Sequence, residues 1–242
     1  MGQSYFIWKN RDCRSMGVWL SGPVPIVRPE ERVRHVQIPG VEGDLTQLEG
    51  ENIFNSYIQT ATILVKGGYR VREIYNWLKG ADFVTFSGEP DRKQPARIIG
   101  AITLNKQSFN LDWWTGEVQF YCQPLKQKLT EKTITLTNNG TVRNDGDVNA
   151  KPLYKITCSN SDVVISALGD STPDGNSLTI TARTPDEVIW VDTKLMEVYN
   201  SDRTALLTKY SVGNFPVLSP GDNEFAFYNA SSVEIEKRER FL

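Results

Sequence analysis

The chain has 242 residues, of which 39% are hydrophobic, 10% aromatic and 23% charged, with 27 basic and 29 acidic side chains. That composition suits a chain that buries a core, and at roughly 100–200 residues per domain it allows one or two domains. A surface built to grip nucleic acid is excluded: residues 1–125 hold 14 basic and 13 acidic side chains, the remainder 13 and 16, and neither half forms a basic stripe.

Tyr5, Ile7, Trp8, Val18 and Leu20 are strand material. From Gly17 to Leu45 the chain then reads GVWLSGPVPIVRPEERVRHVQIPGVEGDL. Pro23, Pro25 and Pro29 fix φ, remove three backbone donors and push Gly22, Val24 and Arg28 toward extended backbone. An arm or edge strand accommodates this; a central strand does not. Val33, Val36 and Ile38 alternate with charge, and Pro39-Gly40 and Gly43-Asp44 place two turn signals within six residues. The segment is expected to leave the domain surface and double back. It is either an arm ordered by packing on a neighbouring copy or a long hairpin with a glycine-rich tip.

A β-branched strand is expected from Tyr57 to Val65. Val71, Ile74, Tyr75 and Leu78 then recur at helical spacing, predicting one helix over about 70–80 that ends at Gly80 in an αL cap. Strands at Arg97–Leu104 and Glu117–Tyr121 flank an expected loop from Phe109 to Gly116. Within it Trp113 and Trp114 point to opposite faces if extended, one to the core and the other free to anchor a partner or stack on a sugar. After Gln123-Pro124-Leu125 the texture changes to short alternating runs with Asn-Gly, Asp-Gly and Pro-Asp turns, which predicts a β-sandwich over 126–242. Its expected strands are Thr133–Thr137, Leu153–Cys158, Val163–Ala167, Ser177–Ala182, Glu187–Asp192, Met196–Asn200, Glu224–Tyr228 and Ser232–Glu236. Asp170, Asp174, Gly175 and Asn176 faintly resemble a calcium loop, but Pro173 and the missing bidentate glutamate make this a turn.

Chemistry-bearing residues are sparse. Cys13, Cys122 and Cys158 are odd in number and lack a C-x-x-C pair, against both a disulfide framework and a zinc site, so reduced buried thiols are expected. His35 is the single histidine and builds no His-rich metal site. The acidic residues fall mostly in turns and exposed strand positions, without the paired carboxylates that glycoside hydrolysis requires. No run approaches the ~18 apolar residues of a membrane helix. Lys9, Arg11 and Arg14 precede no apolar core, so a signal peptide is not expected and the sequons at Asn139 and Asn229 read as turns. The expectation is a protein that is not an enzyme, uses no cofactor or metal and binds no membrane.

Six segments in order carry a resemblance. They are the Gly-Val step with its prolines, arginines and Ile38-Pro39-Gly40; the helix from Tyr69 to Gly80 ending in Trp-Leu; FVTFSGEP at 83–90; VQFYCQP at 118–124; and the pair NDGDVNAKP at 144–152 and GNFPVLSPGDNEF at 213–225. Together they span nearly the whole chain, which resembles the phage distal tail protein (Dit) family of siphophage tail-tip hubs. The resemblance implies a mainly β fold with two domains. Residues 1–125 would form a ring-forming, tail-tube-like β-sheet domain with one short helix and a projecting arm, and 126–242 a galectin-like β-sandwich.

It further implies a homohexameric ring joining the tail tube to the baseplate, with a channel through which DNA passes without specific binding. The implied partners are the major tail tube protein, a tail-associated or tail-fibre protein and receptor-binding proteins. The implied location is the virion tail tip, after assembly in the host cytoplasm. Arg28, Arg32, Ile38, Pro39 and Gly40 are the candidate subunit contacts, and Trp113 and Trp114 weaker candidates for saccharide or partner. The alternative reading is a saccharide-binding or receptor-adhesion module that uses aromatics such as Trp190, Tyr199 or Phe215.

Overall fold

The computed structural model describes the chain except for residues 1–3, 51, 108–111 and 171–174. It divides into two compact units, Met1–Leu129 with Leu242, and Thr130–Phe241.

The first unit contains β1 (Phe6–Trp8), β2 (Arg11–Asp12), β3 (Val18–Leu20), β4 (Val33–Gln37), β5 (Asp44–Leu48), β6 (Tyr57–Lys66), α1 (Val71–Trp77), β7 (Ala81–Phe86), β8 (Arg92–Ile99), β9 (Leu104–Lys106), β10 (Trp113–Cys122) and β11 (Lys126–Lys128). Its main sheet is antiparallel in the order β2-β1-β7-β8-β10-β6-β3. Along β6 the period of two is strict: Gln59, Ala61, Ile63 and Val65 face the core, while Ile58, Thr60, Thr62 and Leu64 face out. β10 pairs with β6 over all ten residues, from Trp113 opposite Lys66 to Cys122 opposite Tyr57.

This pairing corrects the expected Phe109–Gly116 loop. Residues 109–111 lie outside the described residues, but Trp113 to Gly116 are strand, because β6 is long enough to offer each of them a ladder partner. The expected strand over 97–104 is likewise two pieces. Gly100 turns the chain at φ +73°, after which β9 pairs with Trp114–Gly116. Gly116 is fixed by that crossing, since a Cβ there would lie 2.3 Å from the Thr103 carbonyl oxygen.

The helix covers the inner face of the sheet with a different stripe from the one expected. Ile74, Trp77 and Leu78 are buried, whereas Tyr75 is 38% exposed. Its rotation is set by a reciprocal latch. The Trp8 indole donates to the Trp77 carbonyl and the Trp77 indole to the Trp8 carbonyl, each at 3.1 Å, with Phe6 stacked on Trp77 at 5.7 Å. The helix also stops earlier than expected: it ends at Trp77, with Leu78 as its C-cap and the Leu78 amide donating to the Ile74 carbonyl, so Gly80, at φ +86°, lies beyond the cap.

The second unit comprises β12 (Thr133–Leu136), β13 (Gly140–Asn144), β14 (Leu153–Cys158), β15 (Val163–Leu168), β16 (Ser177–Ile180), β17 (Val188–Asp192), β18 (Glu197–Tyr199), β19 (Ser211–Gly213), β20 (Gly221–Tyr228), β21 (Ala230–Glu236) and β22 (Arg240–Phe241). Two five-stranded antiparallel sheets, β12-β21-β14-β17-β18 and β13-β20-β15-β16-β19, form a sandwich. Alternate residues from both sheets, among them Tyr154, Ile156, Ile165, Ile189, Phe225 and Val233, fill one buried core.

Three buried asparagines brace the segment that enters β20. Asn223 Oδ1 accepts from the amide and hydroxyl of Ser219, while its Nδ2 donates to the carbonyls of Val142, Ser219 and Gly221. Asn176 donates to the carbonyls of Ala167 and Val217 and accepts from the Val217 amide. Asn144 donates to the carbonyls of Val148 and Leu218 and accepts from the Gly146 amide. The Asn144 and Asn223 motifs are therefore cross-braces, each side chain tying together backbone groups of separate segments. Of the calcium-loop resemblance, Pro173 and Asp174 lie outside the described residues.

Candidate assembly surface

The proline-rich segment runs as irregular extended chain, with Val24 packed on the core and the Pro25 carbonyl accepting from buried Gln59 at 2.9 Å. Arg28 lies in this lead-in. At the base of the arm the Arg32 amide donates to the Ile53 carbonyl at 2.9 Å and its Nε to Asn55 Oδ1 at 3.1 Å. Glu31 bridges Phe54, whose buried ring anchors the return. Beyond this β4 and β5 pair only with each other, from Val33 opposite Leu48 to Gln37 opposite Asp44.

The tip is a type II turn. Pro39 occupies the first central position, Gly40 the second at φ +83°, and the Val41 amide donates to the Ile38 carbonyl at 3.1 Å. Gly43, at φ +84°, completes the reversal, and residues 37–50 are all exposed. Two of the three arm-tip candidates thus have defined jobs: Pro39 and Gly40 make the turn that presents Ile38 and Val41. Toward the tip the apolar arm residues are left uncovered, with Val41 60%, Leu45 56% and Leu48 59% exposed, while Val33 and Val36 on β4 are half-buried. His35 sits on β4, its Nδ1 3.3 Å from the Thr46 hydroxyl across the ribbon. An isolated two-stranded ribbon of this kind is at best marginally stable in water.

Trp113 and Trp114 lie elsewhere, on β10. Trp114 packs against the core, and its indole donates to Asp112 Oδ1 at 3.1 Å. That bond and one from the Gly68 amide hold the Asp112 carboxyl below its usual range. Trp113 faces out and meets Trp19 at 5.6 Å, with Lys66 Nζ 5.9 Å from its ring. The Trp19 partnership escapes sequence reading because β3 and β10 are joined only through β6.

Two of the aromatics proposed for saccharide are committed locally. Arg203 covers the Trp190 ring at 3.7 Å and the indole donates to the Ser201 carbonyl, while Tyr199 donates its hydroxyl to Glu197. Phe215 packs against the sandwich core. Among the described residues no group of three or more His, Cys, Asp or Glu side chains is placed to hold a metal ion. All three cysteines are free and buried; burial raises Cys13 and pushes Cys122 to about 12 and Cys158 to about 11.

No protein-family model matches the sequence, and no curated protein matches it. Among solved structures, the SPP1 Dit protein, described as a paradigm of the hub adsorption apparatus in phages that infect Gram-positive bacteria, superposes with a TM-score of 0.78 at 19% identity, covering 100% of both chains. A chain of the phage p2 baseplate in its activated conformation with Sr gives a TM-score of 0.49 at 8% identity over 96% of each chain. The chain has the mainly β fold of the SPP1 Dit protein from end to end.

Proposed function

We propose that this chain is a distal tail protein: a structural component of the tail tip of a long-tailed phage or prophage, acting as a hub rather than an enzyme. The observation that carries the reading is the fold correspondence over 100% of both chains, which includes both units and not a shared β domain alone. The six motifs found in family order support it.

In this reading six copies close a ring, joined above to the major tail tube protein and below to a tail-associated protein, with receptor-binding proteins as further partners. Ring closure needs heterologous contacts, in which one surface of each copy meets a different surface of the next. The arm, with Arg28, Arg32, Ile38, Pro39 and Gly40, supplies one such surface, because its apolar residues toward the tip are uncovered within the unit. The near-neutral charge of both halves suits a channel that lets DNA slide, and a salt-dependent micromolar affinity of the ring for duplex DNA would argue against that part. The ring is assembled in the host cytoplasm and resides at the virion tail tip.

Solution mass with negative-stain imaging tests the reading. Six copies of 27.3 kDa give about 164 kDa and a ring with an open centre. Deleting residues 30–45 is expected to leave soluble monomers; an intact ring after that deletion would refute the arm's role.

A further inference from the structure

The outward face of the main sheet is mostly polar along β6 and β10, with Thr60, Thr62, Glu117 and Gln119 in register. At one end this alternation fails. Ile58 pairs with Tyr121, Tyr121 with Arg97, and in the next row Phe83 pairs with Pro95. Ile58 is 53%, Tyr121 40% and Phe83 39% exposed, so the adjacent Ile58–Tyr121 pair and, across β8 and one row on, Phe83 are left uncovered on one face of the sheet. The patch is cationic: Lys93 Nζ stands 5.0 Å over the Phe83 ring, and Arg97 lies beside Tyr121. Asp82, the acid next to it in sequence, is turned to the Phe83 amide at 2.7 Å.

The arm tip has the opposite character. Ile38 and Val41 project from the type II turn, and the charges that follow are Glu42 and Asp44. The arm's arginines, Arg28, Arg32 and Arg34, lie toward its base. Apolar contact flanked by two acids thus matches apolar contact flanked by two cations, and both surfaces are unoccupied within the unit.

We infer that the Ile58–Tyr121–Phe83 patch is the seat for the arm tip of an adjacent copy, with Glu42 and Asp44 facing Lys93 and Arg97. This rests on the ring reading, whose heterologous contact it specifies: tip of one copy, patch of the next. The charges would set register and partner choice around an apolar centre.

A charge swap tests it. In the full-length chain, K93E/R97E and E42K/D44K are each expected to raise the concentration at half-assembly about tenfold or more, with melting temperature and far-UV circular dichroism unchanged. The quadruple variant is expected to recover assembly. An equimolar mixture of the two double variants is expected to recover it too, because cationic tips then meet acidic patches and acidic tips cationic patches alternately around an even-numbered ring. Recovery in both arms supports the seat. If the wild type assembles, loses assembly on arm deletion, yet tolerates K93E/R97E, the seat is wrong and the ring reading stands. A wild type that remains monomeric overturns both.

Discussion

Replacing Asn223 by alanine removes a fully buried polar brace of the second unit. The wild-type side chain makes five hydrogen bonds in a fully buried site. Removing it orphans the Ser219 amide, at about 1–3 kcal/mol for a buried donor without a partner, and the remaining bonds are worth about 0.5–1.5 kcal/mol each, partly recovered by rotation of the Ser219 hydroxyl. The expected loss is about 3–4 kcal/mol, a large part of the ~5–15 kcal/mol that holds a typical domain. Native-state hydrogen exchange at the core amides of β15 and β20 reads this directly. At about 1.4 kcal/mol per decade, exchange there should accelerate by two to three decades while the core amides of β6 and β10 keep their rates. Asn223→Asp is a sharper control: it keeps the acceptor for Ser219 but sets an acceptor against the carbonyls of Val142, Ser219 and Gly221, so it should rescue nothing. Acceleration below about fivefold, or rescue by aspartate, would refute the bracing argument.

Gly40→Val forces a β-branched residue to φ +83° in a turn with no atom within 4 Å of the added Cβ, so strain of about 1–3 kcal/mol stays local. Thermal melting of the unit should hold while ring assembly weakens; an unchanged assembly profile would count against the tip. The buried thiols of Cys13, Cys122 and Cys158 should resist a disulfide-exchange reagent at pH 8 in the native protein and all react in denaturant, and a fast native thiol would contradict their burial. Burial raises Tyr57 from 10.0 to about 12 and Cys122 from 9.0 to about 12. The folded state therefore keeps protons that the unfolded chain has released, and stability present below pH ~9 should fall as pH rises toward 12. A melting temperature of the first unit that stays flat from pH 9 to 11 would sink that assignment.

Local sequence determined those parts of the protein whose physics is local. Pro39-Gly40 admits few turns, and a type II turn with its glycine at positive φ is the geometry found. The alternation in Tyr57–Lys66 names its own buried face. The sandwich, too, follows from short alternating runs separated by turn residues. Tertiary structure decided whatever depends on a partner distant in the chain. Trp113–Gly116 read as a loop until β6, some fifty residues earlier, supplied the ladder that makes them strand. Helical spacing offered Tyr75 to the core, but the core is where Trp8 is, and the indole latch turned Trp77 inward instead. Asn144, Asn176 and Asn223 carry no periodicity, so nothing local distinguishes a buried brace from an exposed turn residue. Ile58, Tyr121 and Phe83 are single apolar residues on three strands, and only sheet register puts Ile58 beside Tyr121 and sets Phe83 across Pro95 and Arg97 of β8 on the same face. Hydrophobic period and turn chemistry act within a few residues and are written in the chain, whereas side-chain partnership across strands is a property of register, which the whole sheet fixes at once.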